Sequence, residues 1–128
     1  MVIGADQTTL KKAQIHNQLM QLLGQAGCFS IDGMLYNTSD QKQDLYAKPN
    51  IGMINRAKVE MKMDFSNGYH VGDSIEDLNM AVKAKLTPVL ILTGNGQETL
   101  KKLDSFVSRE LKPKVKVFPD LQSFVASL

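Results

Sequence analysis

The chain has 128 residues, of which 43% are hydrophobic and 22% charged, a composition typical of a globular domain and not of a disordered or fibrous segment. A net charge of +2 is too small for a nucleic-acid footprint, and the single cysteine, Cys28, excludes an internal disulfide framework. The longest apolar run, Pro88 to Leu92, is far shorter than the ~20 residues that span a bilayer. We therefore expect one cytoplasmic domain over residues 1–128, with neither a nucleic-acid nor a membrane partner.

Short apolar runs alternate with stretches of helical period along the chain. The first half predicts a strand stub at Met1–Ile3, a helix over Thr9–Gly24, a strand at Gly33–Tyr36, a polar loop over Asn37–Ala47 and a helix from Pro49 or Asn50 to about Met63. The second half predicts strands at Tyr69–Val71, Pro88–Leu92 and Val115–Phe118, helices over Ile75–Lys85 and Gln97–Leu111, and a short last helix capped by Asp120. This alternation predicts an α/β layer fold with a mostly parallel sheet.

The strongest candidate for chemistry is the segment Val71–Asp77, because ligands of open parallel sheets bind beyond the carboxyl ends of the strands. A strand delivers Asp73 to that edge, and Asp77 follows one helical turn later. Two carboxylates at this spacing can hold a hard cation, one directly and one through water or a hydrogen bond. The spacing equally allows Asp73 or Ser74 to cap the helix while Glu76 favours its first turn.

A second candidate is the Lys48-Pro49 pair, which lies between the polar loop and a helix start. An ammonium group there could neutralise a phosphate or a carboxylate nucleophile. Taken alone, the pattern also suits a solvated surface lysine.

Together, Lys48-Pro49-Asn50-Ile51-Gly52-Met53 and Val71-Gly72-Asp73-Ser74-Ile75-Glu76-Asp77-Leu78 resemble the haloacid dehalogenase (HAD) superfamily of phosphatases. Within it the likeness is to heptose bisphosphate and histidinol-phosphate phosphatases. The Thr93-Gly94 turn and the upstream Ile31-Asp32-Gly33 fit the same pattern, so the resemblance covers about Gln14 to Phe124. It implies a Rossmann-like three-layer sandwich with a mostly parallel sheet and no cap domain.

The resemblance also implies roles for individual residues in magnesium-dependent hydrolysis of a small-molecule phosphate ester. Lys48 would steady the phosphoryl charge and Asp73 would hold Mg²⁺, with Asp77 supporting the metal shell. Ser74 takes a position where relatives often place a substrate-facing basic residue.

One family motif is absent from the sequence, because no Asp-x-Asp-Gly segment occurs in it. Judged by Ile31-Asp32-Gly33, Met1–Gln7 corresponds to the family's second strand, and the domain is expected to be truncated at its N-terminus. We therefore expect a phosphatase-like domain that is weakly active or inactive alone. The alternative is a non-catalytic or split-protein binding module, in which a homodimer or partner chain completes the sheet.

A second alignment keeps a nucleophile within the chain. Asp6-Gln7-Thr8-Thr9-Leu10 resembles a shortened Asp-x-Thr-Gly-Thr-Leu, the phosphorylated segment of P-type ATPases. In that alignment Asp6 is the nucleophile at the end of the central strand, and Thr38 could bind phosphate. The competing interpretation is that Asp6 or Thr8 caps the following helix.

The remaining metal-binding and nucleophilic residue types carry little functional signal. Several heptose bisphosphate phosphatases have a zinc loop, but Asn37–Ala47 contains neither Cys nor His, so structural zinc is not expected. Ala47 stands where relatives often carry an arginine. His16 and His70 are interpreted as packing or surface residues, and Cys28 as a buried small hydrophobic residue rather than a nucleophile.

Overall fold

The computed structural model describes residues 44–104 and 110–128, the strand residues Val2 and Ile3, and the isolated positions Asn17, Gln18, Gln21, Gln25 and Leu35. The strands are β1 (Val2–Ile3), β2 (Tyr69–Gly72), β3 (Thr87–Ile91) and β4 (Lys116–Phe118). The helices are α1 (Gly52–Met61), α2 (Ile75–Lys83), α3 (Gly96–Leu103) and α4 (Leu121–Ala126), with a 3-10 turn at Lys112–Lys114.

The described strands form one parallel sheet in the order β1-β2-β3-β4. Ile3 lies opposite Val71, which in turn lies opposite Val89. The helices α2 and α3 provide the crossovers that parallel neighbours require. Because all four strands run the same way, their carboxyl ends meet at one edge of the sheet, and the predicted α/β class is confirmed.

The two faces of the sheet are covered by different helices, and alternating residues of β3 show which helix covers which face. Val89 packs with Val71 and with Phe124 of α4. The next residue, Leu90, packs with Leu78 of α2 and Leu103 of α3. Helices therefore cover both faces, which confirms the three-layer sandwich, and no cap domain is seen in the part of the chain that the structure describes.

Helix α1 joins the core on the same face as α2. Its Ile54 and Ala57 are buried, and Ile54 packs against Met80 and Ala81 of α2. The helix ends where Lys62 adopts a left-handed conformation with φ of 51°. Burying this apolar stripe fixes α1, and with it the segment that precedes it, against the helix that carries Asp77.

The predicted cap of the last helix is confirmed, because the Asp120 carboxylate accepts the Ser123 backbone N–H at 2.7 Å. The prediction of a helix over Gln97–Leu111 is wrong in its extent. The helix ends at Leu103, where the Asp104 N–H bonds the carbonyl of Lys101 in a tightened last turn.

Most of the predicted elements before residue 44 lie outside the described residues. Asn17, Gln18, Gln21 and Gln25 are helical and exposed, which fits the polar face of the predicted first helix. Leu35, the one described residue of the predicted strand Gly33–Tyr36, has no regular secondary structure. Within the described ranges, no helix has the length and apolar character needed to cross a membrane.

Candidate functional site

Three segments meet at the carboxyl edge of the sheet. The turn after β2 carries Asp73 and Ser74, the turn after β3 carries Gly94 and Asn95, and the segment before α1 carries Lys48. One ion pair and two hydrogen bonds connect these segments across long stretches of sequence.

Asp77 is a fully buried carboxylate in the first turn of α2. Its Oδ1 lies 2.8 Å from the Nζ of Lys48, whose side chain is 27% exposed. The Ser74 hydroxyl donates to Asp77 Oδ2 at 2.7 Å and accepts the Asp77 backbone N–H at 3.2 Å. A buried charge is tolerated only when it is paired and hydrogen-bonded, and Asp77 satisfies both conditions.

Lys48 reaches Asp77 because hydrogen bonds fold the segment before α1 into a compact turn. The Ala47 N–H bonds the carbonyl of Asp44 at 3.0 Å, and the Asn50 side-chain amide bonds the same carbonyl at 2.9 Å. The peptide bond between Lys48 and Pro49 is cis. The Lys48 side chain, which is partly exposed, lies beside the buried carboxylate of Asp77.

Gly72 provides the space that Asp77 occupies. A Cβ on Gly72 would overlap the Cβ and the carboxyl group of Asp77. A side chain at position 72 would therefore push Asp77 away from Lys48 and Ser74. The absence of a side chain at Gly72 therefore allows Asp77 to reach Lys48 and Ser74.

Asp73 is partly exposed and is bound by the turn and helix that follow β3. Its Oδ2 accepts the Asn95 backbone N–H at 2.9 Å, and its backbone carbonyl accepts the Thr99 hydroxyl at 2.6 Å. Gly94, with φ of +59°, leaves room for the carboxylate, since a Cβ there would overlap Oδ2. One turn of chain therefore fixes both the backbone and the carboxylate of Asp73.

His70 lies on β2, on the same face as Gly72, since residues two apart in a strand share a face. It is fully buried, and neither ring nitrogen has a hydrogen-bond partner among the described residues. Burial lowers its pKa to about 4, against the opposing effect of Asp77 and with a smaller lowering by Lys48. A neutral imidazole is therefore part of the surroundings of the Lys48–Asp77 pair.

The structure brings together Lys48, Asp77 and Ser74, and it places Asp73 at the start of the same turn. Asp6 and Thr38 lie outside the described residues. The sequence interpretation missed Asn95 and Thr99, which bind Asp73 from a distance of more than twenty residues in sequence. It also treated His70 as a packing or surface residue. Because His70 and Gly72 lie on the same face of β2 and Asp77 packs over Gly72, the alternation of the strand could have indicated that His70 is near Asp77.

A groove of about 540 Å³ opens between the first turns of α2 and α3. Ser74, Asn95 and Thr99 line it, so it adjoins the turn that holds Asp73. In the described ranges, no group of three or more His, Cys, Asp or Glu side chains could by itself hold a metal ion.

A parallel α/β sandwich with a lysine and a Gly-Asp turn at its carboxyl edge defines a HAD-type hydrolase domain. The profile of the HAD-hydrolase-like family matches residues 45–123, and the chain belongs to this family. The resemblance drawn from the Lys48 and Asp73 segments is thereby confirmed.

Two heptose bisphosphate phosphatases are similar to the chain. It is 35% identical over 81 residues to the D-glycero-beta-D-manno-heptose-1,7-bisphosphate 7-phosphatase of Pseudomonas aeruginosa, covering 63% of this chain and 42% of that protein. It also matches the crystal structure of D,D-heptose 1,7-bisphosphate phosphatase from B. bronchiseptica, complexed with magnesium and phosphate. That match has a TM-score of 0.75 and 25% identity, and it covers 93% of this chain and 63% of the other. The chain thus spans less than two thirds of the length of either relative.

Proposed function

We propose that this domain binds Mg²⁺ and a small phosphate monoester of the sugar-phosphate type, and that alone it hydrolyses the ester weakly or not at all. The observation that carries the binding proposal is the meeting of Lys48, Asp73 and Asp77 at the carboxyl end of β2. The similarity of the chain to two heptose bisphosphate phosphatases, one of them complexed with magnesium and phosphate, supports the proposal.

Asp73 suits a direct ligand of Mg²⁺. Hard cations prefer carboxylate oxygens, and this carboxylate is partly exposed and held in place through its Oδ2. Asp77, which is fully buried against Lys48 and Ser74, would support the metal shell through these partners. Bound Mg²⁺ would neutralise phosphoryl charge.

Lys48 and Ser74 would contact the ester. The Lys48 ammonium is oriented by the buried Asp77, and because the Lys48 side chain remains 27% exposed, it can meet a phosphoryl oxygen arriving from solvent. Ser74 borders the groove beside Asp73, where its oxygen is available to a substrate hydroxyl.

For the chemical step we assign Asp6 as the nucleophile and Thr38 as a phosphate-binding residue. The parallel pairing of β1 with β2 supports the assignment, because Ile3 opposes Val71, and Asp6 stands three residues after Ile3 in the sequence while Asp73 stands two residues after Val71. An Asp6 oxygen would form a bond to phosphorus while the ester P–O bond breaks, and the leaving alkoxide would take its proton from water. Water then hydrolyses the acyl phosphate and releases inorganic phosphate.

Weak activity follows from the residue that stands two positions after Asp6. In the phosphatases that the chain resembles, that position carries an aspartate acting as acid and base, whereas here it is Thr8, as in the P-type ATPase segment. A general acid contributes typically about 10²–10⁴-fold to the rate, so we expect turnover lower than in a complete enzyme by a comparable factor.

Phosphate release from heptose 1,7-bisphosphate in the presence of Mg²⁺ tests this proposal. We expect a slow release that Asp6→Asn abolishes and that Asp104→Asn, an exposed aspartate in the last turn beyond α3, leaves unchanged. Fast release that survives Asp6→Asn would overturn both the weak activity and the role of Asp6.

The second candidate function is a binding module completed by a partner or by a second copy of the chain. In its favour, β1 ends the order of described strands and pairs with β2 through two residues. A short strand at a sheet end is a natural place for strand addition. Light scattering should then give a dimer or a larger complex, and a monomer at micromolar concentration would exclude self-completion.

A further inference from the structure

The turn after β3 and the first turn of α3 hold Asp73 from a distance in sequence. The Asn95 backbone N–H donates to Asp73 Oδ2 at 2.9 Å across 22 positions. The Thr99 hydroxyl donates to the Asp73 backbone carbonyl at 2.6 Å across 26 positions. Asp73 is thus fixed from α3 as well as from its own strand.

Thr99 is buried at a position from which its hydroxyl reaches the Asp73 backbone carbonyl. The residue is 3% exposed, and its backbone N–H already donates to the Asn95 carbonyl at 3.0 Å. The hydroxyl is therefore the group that Thr99 contributes outside its own helix. A valine of similar shape would fill the same space and leave the Asp73 carbonyl without this donor.

Gly94 and Asn95 complete the arrangement at the carboxylate. Gly94 adopts a left-handed conformation, and any Cβ there would overlap Asp73 Oδ2. The close approach allows the next residue, Asn95, to donate its backbone N–H to that oxygen. Because the turn engages Oδ2, Oδ1 remains as the carboxylate oxygen for a cation.

From these contacts we propose that Thr99 is a positioning residue for the metal site. It acts through Asp73: the Thr99 hydroxyl holds the Asp73 backbone while the Asn95 N–H orients the carboxylate for Mg²⁺. The inference rests on the proposed Mg²⁺ binding and adds a residue of α3 to it. Outer partners of metal ligands commonly matter by about 10–100-fold in metal affinity, and we expect an effect in that range here.

The test is a calorimetric titration of the purified chain with MgCl₂ alone, alongside denaturant unfolding without metal. Thr99→Val should weaken Mg²⁺ binding about tenfold or more, whereas Thr99→Ser, which keeps the hydroxyl, should bind like the wild type. Thr87→Val is the matched control, because Thr87 is the first residue of β3 and lies at the amino end of that strand, whereas Asp73 lies beyond the carboxyl ends of the strands. It should leave the Mg²⁺ affinity unchanged.

Each outcome has a distinct meaning. If the wild type binds Mg²⁺ and Thr99→Val binds it equally well, the positioning role is wrong and the proposed function stands. Equal losses in Thr99→Ser and Thr99→Val would also overturn the role of the hydroxyl. If the wild type binds no Mg²⁺, the proposed function fails and the inference fails with it. Should Thr99→Val not fold, Thr99→Ala decides, because it removes the same hydroxyl without placing a methyl group against the Asp73 carbonyl, and an unchanged affinity there overturns the proposal.

Discussion

Two aspartates four residues apart occupy opposite environments at the end of β2. Asp77 is fully buried and is held by Lys48 and Ser74, whereas Asp73 is partly exposed and is held by backbone N–H and hydroxyl donors of the next turn. Asp77 is coupled to the packing of the core, and Asp73 is presented to solvent. The comparison shows that burial separates the roles of two identical side chains. The buried Asp77 pairs with Lys48 inside the protein, whereas the partly exposed Asp73 is a candidate metal ligand.

The largest expected effect comes from removing the cation that compensates the buried carboxylate. Lys48→Met should lower the free energy of unfolding by about 3–5 kcal/mol, because Asp77 is then left buried without its ion-pair partner. Urea denaturation at pH 7 measures the loss.

The matched control for that variant is Lys83→Met, an exposed lysine in the last turn of α2. The free energy of unfolding of Lys83→Met should fall by no more than about 1 kcal/mol, which is the contribution expected of a charge at the end of a helix. Equal losses in the two variants would mean that the Lys48–Asp77 pair contributes no more to stability than a surface charge.

The next effect is a pH dependence carried by His70. The pKa of His70 in the folded protein is about 4, below the ordinary 6.5. Between these two pH values the imidazole is protonated in the unfolded chain but neutral in the folded protein. The stability contribution is therefore complete above pH 6.5 and declines as the pH falls toward 4, by on the order of 3 kcal/mol in total.

Unfolding free energies of the wild type and His70→Met, measured from pH 7 to pH 4, isolate this contribution. The difference between the two proteins should change steadily through that interval, because the variant has no imidazole at position 70. Parallel pH profiles would show that burial of His70 does not carry the dependence.

A smaller loss of stability is expected from crowding the buried carboxylate. Gly72→Ala introduces a methyl group that overlaps Asp77, and overpacking of this kind costs about 1–3 kcal/mol. Denaturant unfolding measures it, with Gly94→Ala as the comparison at Asp73. Retention of full stability in Gly72→Ala would show that Asp77 can move aside at little cost.

The smallest effect on stability belongs to the exposed member of the comparison. Asp73→Asn keeps an acceptor for the Asn95 N–H and removes only a partly exposed charge, so the unfolding free energy should change by less than about 1 kcal/mol. A loss as large as that of Lys48→Met would erase the distinction between the two aspartates.

Local patterns predicted much of the fold. The continuous apolar run Pro88–Leu92 predicted the strand β3, which spans Thr87–Ile91, and the helix predicted from Pro49 or Asn50 to about Met63 contains α1. The Asp120 cap was also predictable, because capping depends on the first few residues of a helix. The end of α3 was not, since the chain leaves the helix at Leu103 before the apolar spacing stops.

The candidate site was predicted only as far as local sequence reaches. Lys48, Asp73, Ser74 and Asp77 stand in short segments whose pattern is informative by itself. The pairing of Lys48 with Asp77 and the Thr99–Asp73 hydrogen bond arise from tertiary packing, and no local pattern encodes them. The environment of His70 depends in the same way on the packing of α2 over β2.

The central claim is that Asp73 is the carboxylate that presents an oxygen to Mg²⁺. Calorimetric titration of the wild type, Asp73→Asn and Glu76→Gln with MgCl₂ tests it most directly, because Glu76 is an exposed carboxylate three residues away, in the first turn of α2. We predict saturable binding by the wild type and Glu76→Gln and a loss of about tenfold or more in Asp73→Asn. Binding that is absent in the wild type, or unchanged in Asp73→Asn, would contradict the account.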